Sequence, residues 1–202
     1  YKKIRNISLK KKINLNLIQN RENGIEIISH KFVNEKQILE IKFKNKKHII
    51  ELGLIGSIQI KNILMSILAA YQSGLKIEKI INVLHKIKPV EGRLEKIGNI
   101  RNNSKVILDY AHTPAALDLA LSNLKEQFPY SKISLVFGCG GNRDKKKRSI
   151  MGGIAEKYSD KIYLTDDNPR NENPIKIRKD IKKGIKQAKI NELPNRKKAI
   201  QE

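Results

Sequence analysis

Lys161-Ile162-Tyr163-Leu164-Thr165-Asp166-Asp167-Asn168-Pro169-Arg170-Asn171-Glu172-Asn173-Pro174 is the stretch whose reading decides the fold. Its first four residues form an apolar run of the length of a buried strand. Its last four read as a helix start with Pro at the first helical position. Between them lie carboxylates, an amide and a guanidinium, on the kind of strand-to-helix loop where open α/β sheets hold ligands. Arg170 can grip a carboxylate through two parallel hydrogen bonds. The same residues also make an ordinary turn, because Asp, Asn and Pro all favour turns. Taken alone, the stretch leaves both readings open.

Upstream the pattern repeats. Lys105-Val106-Ile107-Leu108 reads as a strand, and Thr113-Pro114 opens a helix to about Gln127. Ile133-Ser134-Leu135-Val136-Phe137 is a second strand, followed by a glycine-rich loop and a helix near Ser149 to Tyr158. The helix opened by Pro174 runs to about Lys189. Three alternations of strand and helix predict an α/β fold with a parallel sheet and crossover helices.

Before Val90 the texture differs. Residues 1 to about 50 alternate apolar patches with Lys and Asn, as in Gly24-Ile25-Glu26-Ile27-Ile28 and Ile38-Leu39-Glu40-Ile41-Lys42-Phe43, which predicts antiparallel strands with one solvated face. Asn62 is placed to cap a helix over Ile63 to Ser73, stopped by Gly74. Ile77, Ile80, Ile81, Leu84 and Ile87 then fall at helical spacing, and Pro89 ends that helix. His85 lies beside the apolar stripe and reads as a surface or boundary histidine rather than a ligand. The boundary between the two regions falls near Lys88 to Gly92, giving domains 1–89 and 90–202.

The 202 residues carry a formal net charge of +22, which invites a nucleic-acid reading. The lysines are spread along the whole chain, and the few aromatics do not interleave with them as a base-stacking surface requires, so no nucleic-acid partner is expected. Lys, Ile and Asn dominate together, a bias that bears on solubility and nonspecific association. The single cysteine, Cys139, excludes an intrachain disulfide and a multi-cysteine metal site and fits a reducing compartment. No apolar run has the length of a membrane span and no signal-peptide pattern opens the chain, so a cytoplasmic location without membrane contact is expected. Tyr1 opens the chain without a methionine and Gln201-Glu202 closes it within a helical pattern, so a fragment is expected.

Three loops after three successive strands carry polar chemistry. In Asp109-Tyr110-Ala111-His112-Thr113-Pro114, Thr113 caps the next helix and leaves Asp109 free to accept from ribose hydroxyls. His112 can reach phosphate or an incoming amine. In Gly138-Cys139-Gly140-Gly141-Asn142-Arg143-Asp144 the glycines let backbone amides approach an anion, with the following helix start adding positive dipole; a flexible turn is the alternative. No Gly-Lys-Ser/Thr follows, so this is not a P-loop. Arg143 is a candidate carboxylate or phosphate contact. Cys139 reads as a small buried spacer with no activating base, and Lys145 to Lys147 as solvated surface. The third loop is the opening stretch.

These residues resemble the carboxyl-terminal region of the Mur ligases, above all the branch that adds meso-diaminopimelate to UDP-N-acetylmuramoyl-L-alanyl-D-glutamate. The resemblance rests on Val90-Glu91-Gly92-Arg93-Leu94-Glu95, Asp109 to Pro114, Phe137 to Asp144 and Asp166 to Arg170. Leu54-Ile55-Gly56 through Asn62 resembles the segment that closes the family's central ATPase domain, with Ile58-Gln59 where the family usually has Phe-Asn. The resemblance implies the last part of that domain over 1–89, then a Rossmann-like α/β domain with a mostly parallel sheet over 90–202.

It also implies a chemistry. ATP phosphorylates the D-glutamate side-chain carboxylate, the diaminopimelate amine attacks the acyl phosphate, and Mg2+ offsets the phosphate charge. Asn62 is implied to contact adenine, Arg93 the phosphates and Asp109 the ribose, with His112 near the phosphates or the amine. Arg143, Asp167, Asn168, Pro169 and Arg170 are implied to bind diaminopimelate. A cytoplasmic monomer is expected, with the P-loop, the UDP-sugar site and a Gly-Lys-Gly-His-Glu element outside this chain, which by itself is then inactive. Readings left beside this one are a folylpolyglutamate or other Mur-type ligase with another amino acid, a basic nucleic-acid-binding module, and a noncatalytic binding domain.

Overall fold

In the computed structural model, which describes residues 24–100 and 104–202, the early apolar alternation becomes a three-stranded antiparallel meander. Its strands are β1 (Glu26–Val33), β2 (Lys36–Phe43) and β3 (Lys46–Leu52). Lys44 and Asn45 join the last two with φ of 45° and 64°, the left-handed pair that a twisted two-residue hairpin requires. Leu39, Ile41, Phe43, Ile50 and Leu52 face inward and are buried, while the alternate residues face solvent. The expected antiparallel strands with one solvated face are therefore present over the described residues; residues 1–23 lie outside them.

Helix α1 (Ile58–Gln72) buries Ile60, Ile63, Leu64, Ile67 and Leu68 in the same core as the strand residues. Helix α2 (Ile77–Val83) and a 3-10 turn (Leu84–Lys86) add Ile77, Ile80 and Leu84. Asn62 is not a cap. The helix begins a turn earlier, where Gly56 at φ 89° turns the chain and its carbonyl accepts from Gln59 N–H at 3.1 Å. Asn62 stands exposed within the helix, its amide donating to Gln59 Oε1 at 3.2 Å. Gly74, at φ 91°, ends this helix as expected, and His85 is exposed.

The described residues divide into two compact units between Val106 and Ile107. Strand β4 (Glu95–Ile100) pairs with β5 (Ser104–Leu108) in a two-stranded sheet. The second unit holds a parallel sheet in the order β6 (Ser134–Phe137), β7 (Lys161–Leu164), β8 (Ile190–Glu192). The crossovers are α4 (Lys146–Tyr158) and α5 (Pro174–Lys182), with α3 (Pro114–Gln127) before the sheet and α6 (Arg196–Gln201) after it. Central β7 buries Ile162, Tyr163 and Leu164 on both faces, as a covered parallel sheet demands. Each such aliphatic side chain contributes roughly 1.5–3 kcal/mol on burial.

Two sequence expectations change here. The strand Lys105–Leu108 does not share a ladder with β6; it pairs with its chain neighbour β4 in a two-stranded sheet. The sheet's third strand is instead β8, just beyond the stretch read as helix to about Lys189, and that helix ends short of it. Helix α5 stops at Lys182 because Gly184 follows and because Glu156 Oε1 accepts the N–H groups of Lys186, Gln187 and Ala188 at 2.9, 2.5 and 2.8 Å. Those amides are satisfied without a helix.

Candidate functional site

The loops that follow β6 and β7 lie against each other. Thr165 N–H donates to Phe137 O at 2.9 Å, Gly141 N–H to Asn168 O at 2.8 Å, and Arg170 Nη1 to Gly141 O at 2.8 Å. Glycine is required for this contact: a Cβ on Gly138 would sit 2.3 Å from Thr165 O, and one on Gly141 1.8 Å from Pro169 O. Neither has a left-handed φ, so the need is for space. The sequence leaves these glycines open to an anionic ligand or to a flexible turn. In the structure they seat the other loop, and the Gly141 amide is already hydrogen-bonded to it. Asn142 on one loop and Arg170 on the other adopt left-handed φ of 51° and 49°, conformations that non-glycine residues hold only where surroundings enforce them.

The structure brings Arg143, Asp167, Asn168, Pro169 and Arg170 onto these two touching loops. Arg143 is exposed and makes no hydrogen bond or ion pair among the described residues. Asp167 Oδ1 accepts Asn168 N–H at 2.7 Å, and its Oδ2 lies 3.9 Å from Arg196 Nη2. Asn168 Oδ1 accepts Arg170 N–H at 3.3 Å, and Pro169 O accepts Glu172 N–H at 3.0 Å. Arg170 is exposed apart from its bond to Gly141, so a free cation and a tethered one share a short stretch of surface.

The first loop keeps its local logic. Thr113 Oγ1 accepts Ala116 N–H at 3.2 Å and Pro114 opens α3, while Asp109 Oδ1 accepts Ala111 N–H at 2.9 Å. His112 Nδ1 lies 3.1 Å from Tyr110 O. A carbonyl only accepts, so Nδ1 carries the proton and Nε2 is the outward-acting nitrogen. Lys147, expected as solvated surface, is half-buried; its ammonium donates to His112 O at 2.8 Å and ties the start of α4 to this loop. Asn62 and Arg93 belong to the first unit, Arg93 exposed in a turn whose N–H donates to Val90 O at 3.0 Å.

Four residues missed by the sequence reading hold the loops. Arg148 is fully buried; its Nη1 and Nη2 donate to Glu172 Oε2 and Oε1 at 3.0 and 2.9 Å, and Nη1 to Asp180 Oδ2 at 3.1 Å. The guanidinium, followed by the Asn142 N–H, pulls the Glu172 carboxyl down from 4.5 to about 2. Arg178, also buried, binds Asp166 and, at 2.7 Å, Glu192, so Asp166 is engaged in holding β7 to its neighbours. Arg196 Nε donates to Thr165 Oγ1 at 3.1 Å. A signal for Arg148 was present: it shares a helical stripe with Met151, Gly152 and Ala155, all buried. Cys139 is buried against Met151 as expected, and burial pushes its thiol pKa up.

Among the described residues no three of His, Cys, Asp and Glu converge as a metal site, and no helix is long and apolar enough to cross a membrane.

Comparison with known proteins gives this arrangement its family. A model of the family "Mur ligase, glutamate ligase domain" matches residues 92–202. A Rickettsia felis protein named UDP-N-acetylmuramoyl-L-alanyl-D-glutamate--2,6-diaminopimelate ligase is 47% identical over 148 residues, 73% of this chain and 27% of that protein. One of the same name from Buchnera aphidicola subsp. Baizongia pistaciae is 49% identical over 148 residues, 73% of this chain and 29% of that protein. The chain therefore spans less than a third of these curated relatives. A solved structure of a ligase of that name is similar with a TM-score of 0.67 at 27% identity, covering 98% of this chain and 41% of the other. With the family match running through β6, β7 and the two loops they carry, this chain belongs to the Mur ligase family.

Proposed function

We propose that this chain is the amino-acid-binding part of a cytoplasmic, monomeric ligase that joins meso-diaminopimelate to UDP-N-acetylmuramoyl-L-alanyl-D-glutamate in peptidoglycan synthesis. In this reading residues 1–89 close a central ATP-binding domain and 90–202 form the domain that receives the amino acid. ATP is a substrate: its terminal phosphoryl group passes to the D-glutamate side-chain carboxylate. The diaminopimelate amine then attacks the carbonyl carbon of the acyl phosphate, the amide bond forms, and phosphate leaves. Mg2+ supplies charge neutralisation when bound. The described residues do not form a metal site on their own, so no step here runs through it.

The observation that carries the reading is the meeting of Gly138–Asp144 with Thr165–Arg170, which sets Arg143 and a tethered Arg170 on adjoining loops. Two guanidinium groups beside Asp167 and Asn168 suit an amino acid that presents an amine and two carboxylates. Arg170 takes the distal carboxylate of diaminopimelate, Arg143 supports it, and Asp167 and Asn168 meet the polar groups between. Lysine lacks that distal carboxylate and leaves Arg170 without its partner, a penalty of roughly 1–3 kcal/mol. Asn62 serves adenine, Arg93 the phosphates and Asp109 the ribose. His112 faces the phosphates or the incoming amine through Nε2.

The test is amino-acid dependence in the full-length protein that carries this chain. Arg170→Ala should raise the KM for diaminopimelate by about tenfold or more, the scale of one lost charged contact, and leave the KM for ATP unchanged. Equal loss of both, or a parent enzyme that prefers lysine or glutamate, overturns the assignment.

A further inference from the structure

Glu172 lies outside the residues that the proposed function assigns to diaminopimelate, yet its carboxylate joins both loops. It stands two residues after Arg170, and its side chain is only 14% exposed. Oε1 accepts the Asn142 N–H at 2.6 Å and Arg148 Nη2 at 2.9 Å. Oε2 accepts Arg148 Nη1 at 3.0 Å. The guanidinium is itself fixed from a third side by Asp180 of α5 at 3.1 Å, and its Nη2 reaches Gly140 O at 3.4 Å.

An ion pair that served only to hold α4 to α5 would not need a loop amide. Here the amide belongs to Asn142, which sits at φ 51° immediately before Arg143. Three consecutive residues are thus anchored: Gly140 through its carbonyl to Arg148, Gly141 through both backbone groups to Asn168 and Arg170, and Asn142 through its N–H to Glu172. The chain is released only at Arg143. A guanidinium that follows a fixed left-handed residue leaves the loop in a set direction. A displacement of about 1 Å in such a group can cost on the order of 10²-fold in use of the substrate it grips.

We propose that Glu172, seated on the buried Arg148, is a positioning residue that locks the backbone at Asn142 and thereby aims Arg143 at the carboxylate of the incoming amino acid. The proposal rests on the reading of these loops as the amino-acid site. Glu172 touches no substrate; it acts through the Asn142 amide. Because its charge is matched by Arg148 and by Lys145, whose ammonium lies 3.8 Å from Oε2, it also leaves Arg143 and Arg170 as the cations of the two loops offered to the amino acid.

The test is the paired substitution Glu172→Met with Arg148→Met in the full-length protein. Replacing a buried ion pair by apolar side chains commonly preserves folding, whereas removing one partner strands a charge; Asp180, the third member here, keeps Lys183 Nζ at 2.7 Å when Arg148 is gone. The pair should melt close to the parent temperature, raise the KM for diaminopimelate by about tenfold or more and leave the KM for ATP within about twofold of the parent. Amide hydrogen exchange should speed up at Asn142 and Arg143 while β6 and β7 stay protected. A folded double variant with the parent KM for diaminopimelate, or with unchanged exchange at Asn142, overturns the proposal. A parent protein without diaminopimelate-dependent turnover would instead sink the proposed function, and the exchange result would still decide whether Glu172 holds the loop.

Discussion

Gly141 and Glu172 show how closely the two loops depend on single atoms. A methyl group on Gly141 would sit 1.8 Å from Pro169 O, which is backbone and cannot swing aside. Gly141→Ala should therefore force the loops apart and cost about 1–3 kcal/mol, the usual range for overpacking. Urea unfolding checks this, and a variant as stable as the parent would refute the close approach. Glu172 makes a second prediction, with a defined sign. Its carboxyl titrates near an ordinary 4.5 when unfolded and at about 2 when folded, so the unfolded chain binds the proton first as pH falls. The stability it contributes is fully present above 4.5 and is lost as pH drops from there toward about 2. Melting temperature against pH should show this acid limb in the parent and a flatter one in Glu172→Gln. Residue types made Arg143, Asp167 and Arg170 legible as candidates. Glu172 and Arg148 were not legible as a pair, because nothing in a linear spacing of 24 residues brings a carboxylate to a guanidinium.

Secondary-structure elements were readable to the extent that their signals are local. Thr113 before Pro114 and Asn173 before Pro174 cap α3 and α5 where the sequence places those helix starts, and Asn173 Oδ1 accepts Ile175 N–H at 2.9 Å. Asn173→Ala should cost about 1 kcal/mol in chemical denaturation. A neutral result would mean that the cap is not what starts α5. One element that local reading missed, β8, is three residues long and carries no periodic pattern. It is a strand because β7 offers it a ladder and because Glu156, remote in sequence, satisfies the amides that precede it. Asn62 failed as a cap for the converse reason. A good capping residue was available, but Gly56 turned the chain a helical turn sooner.

Across the whole chain, the net charge of +22 pushes like charges together on folding, although the ion pairs at Arg148 and Arg178 are largely shielded from solvent. Raising ionic strength to about 0.15 M, where the screening length is about 8 Å, should therefore raise the melting temperature. A falling melting temperature would mean that surface ion pairs outweigh the repulsion. Any attraction of this charge to nucleic acid should be indifferent to sequence and fall steeply as salt rises, which a mobility-shift titration over a range of salt concentrations checks.

By itself the sequence determined the local syntax: an antiparallel, half-solvated first region, then strands handing over to capped helices through loops of Gly, Asp, Asn and Arg. Alternation, capping and turn chemistry act over a few residues, so a linear reading captures them. Only the tertiary structure decided that β8 and not β5 completes the parallel sheet, that the loop glycines seat another loop's backbone, and that Arg148 is an interior anchor. Those outcomes depend on which distant groups satisfy a buried charge or an unpaired amide, and that is settled by packing in three dimensions.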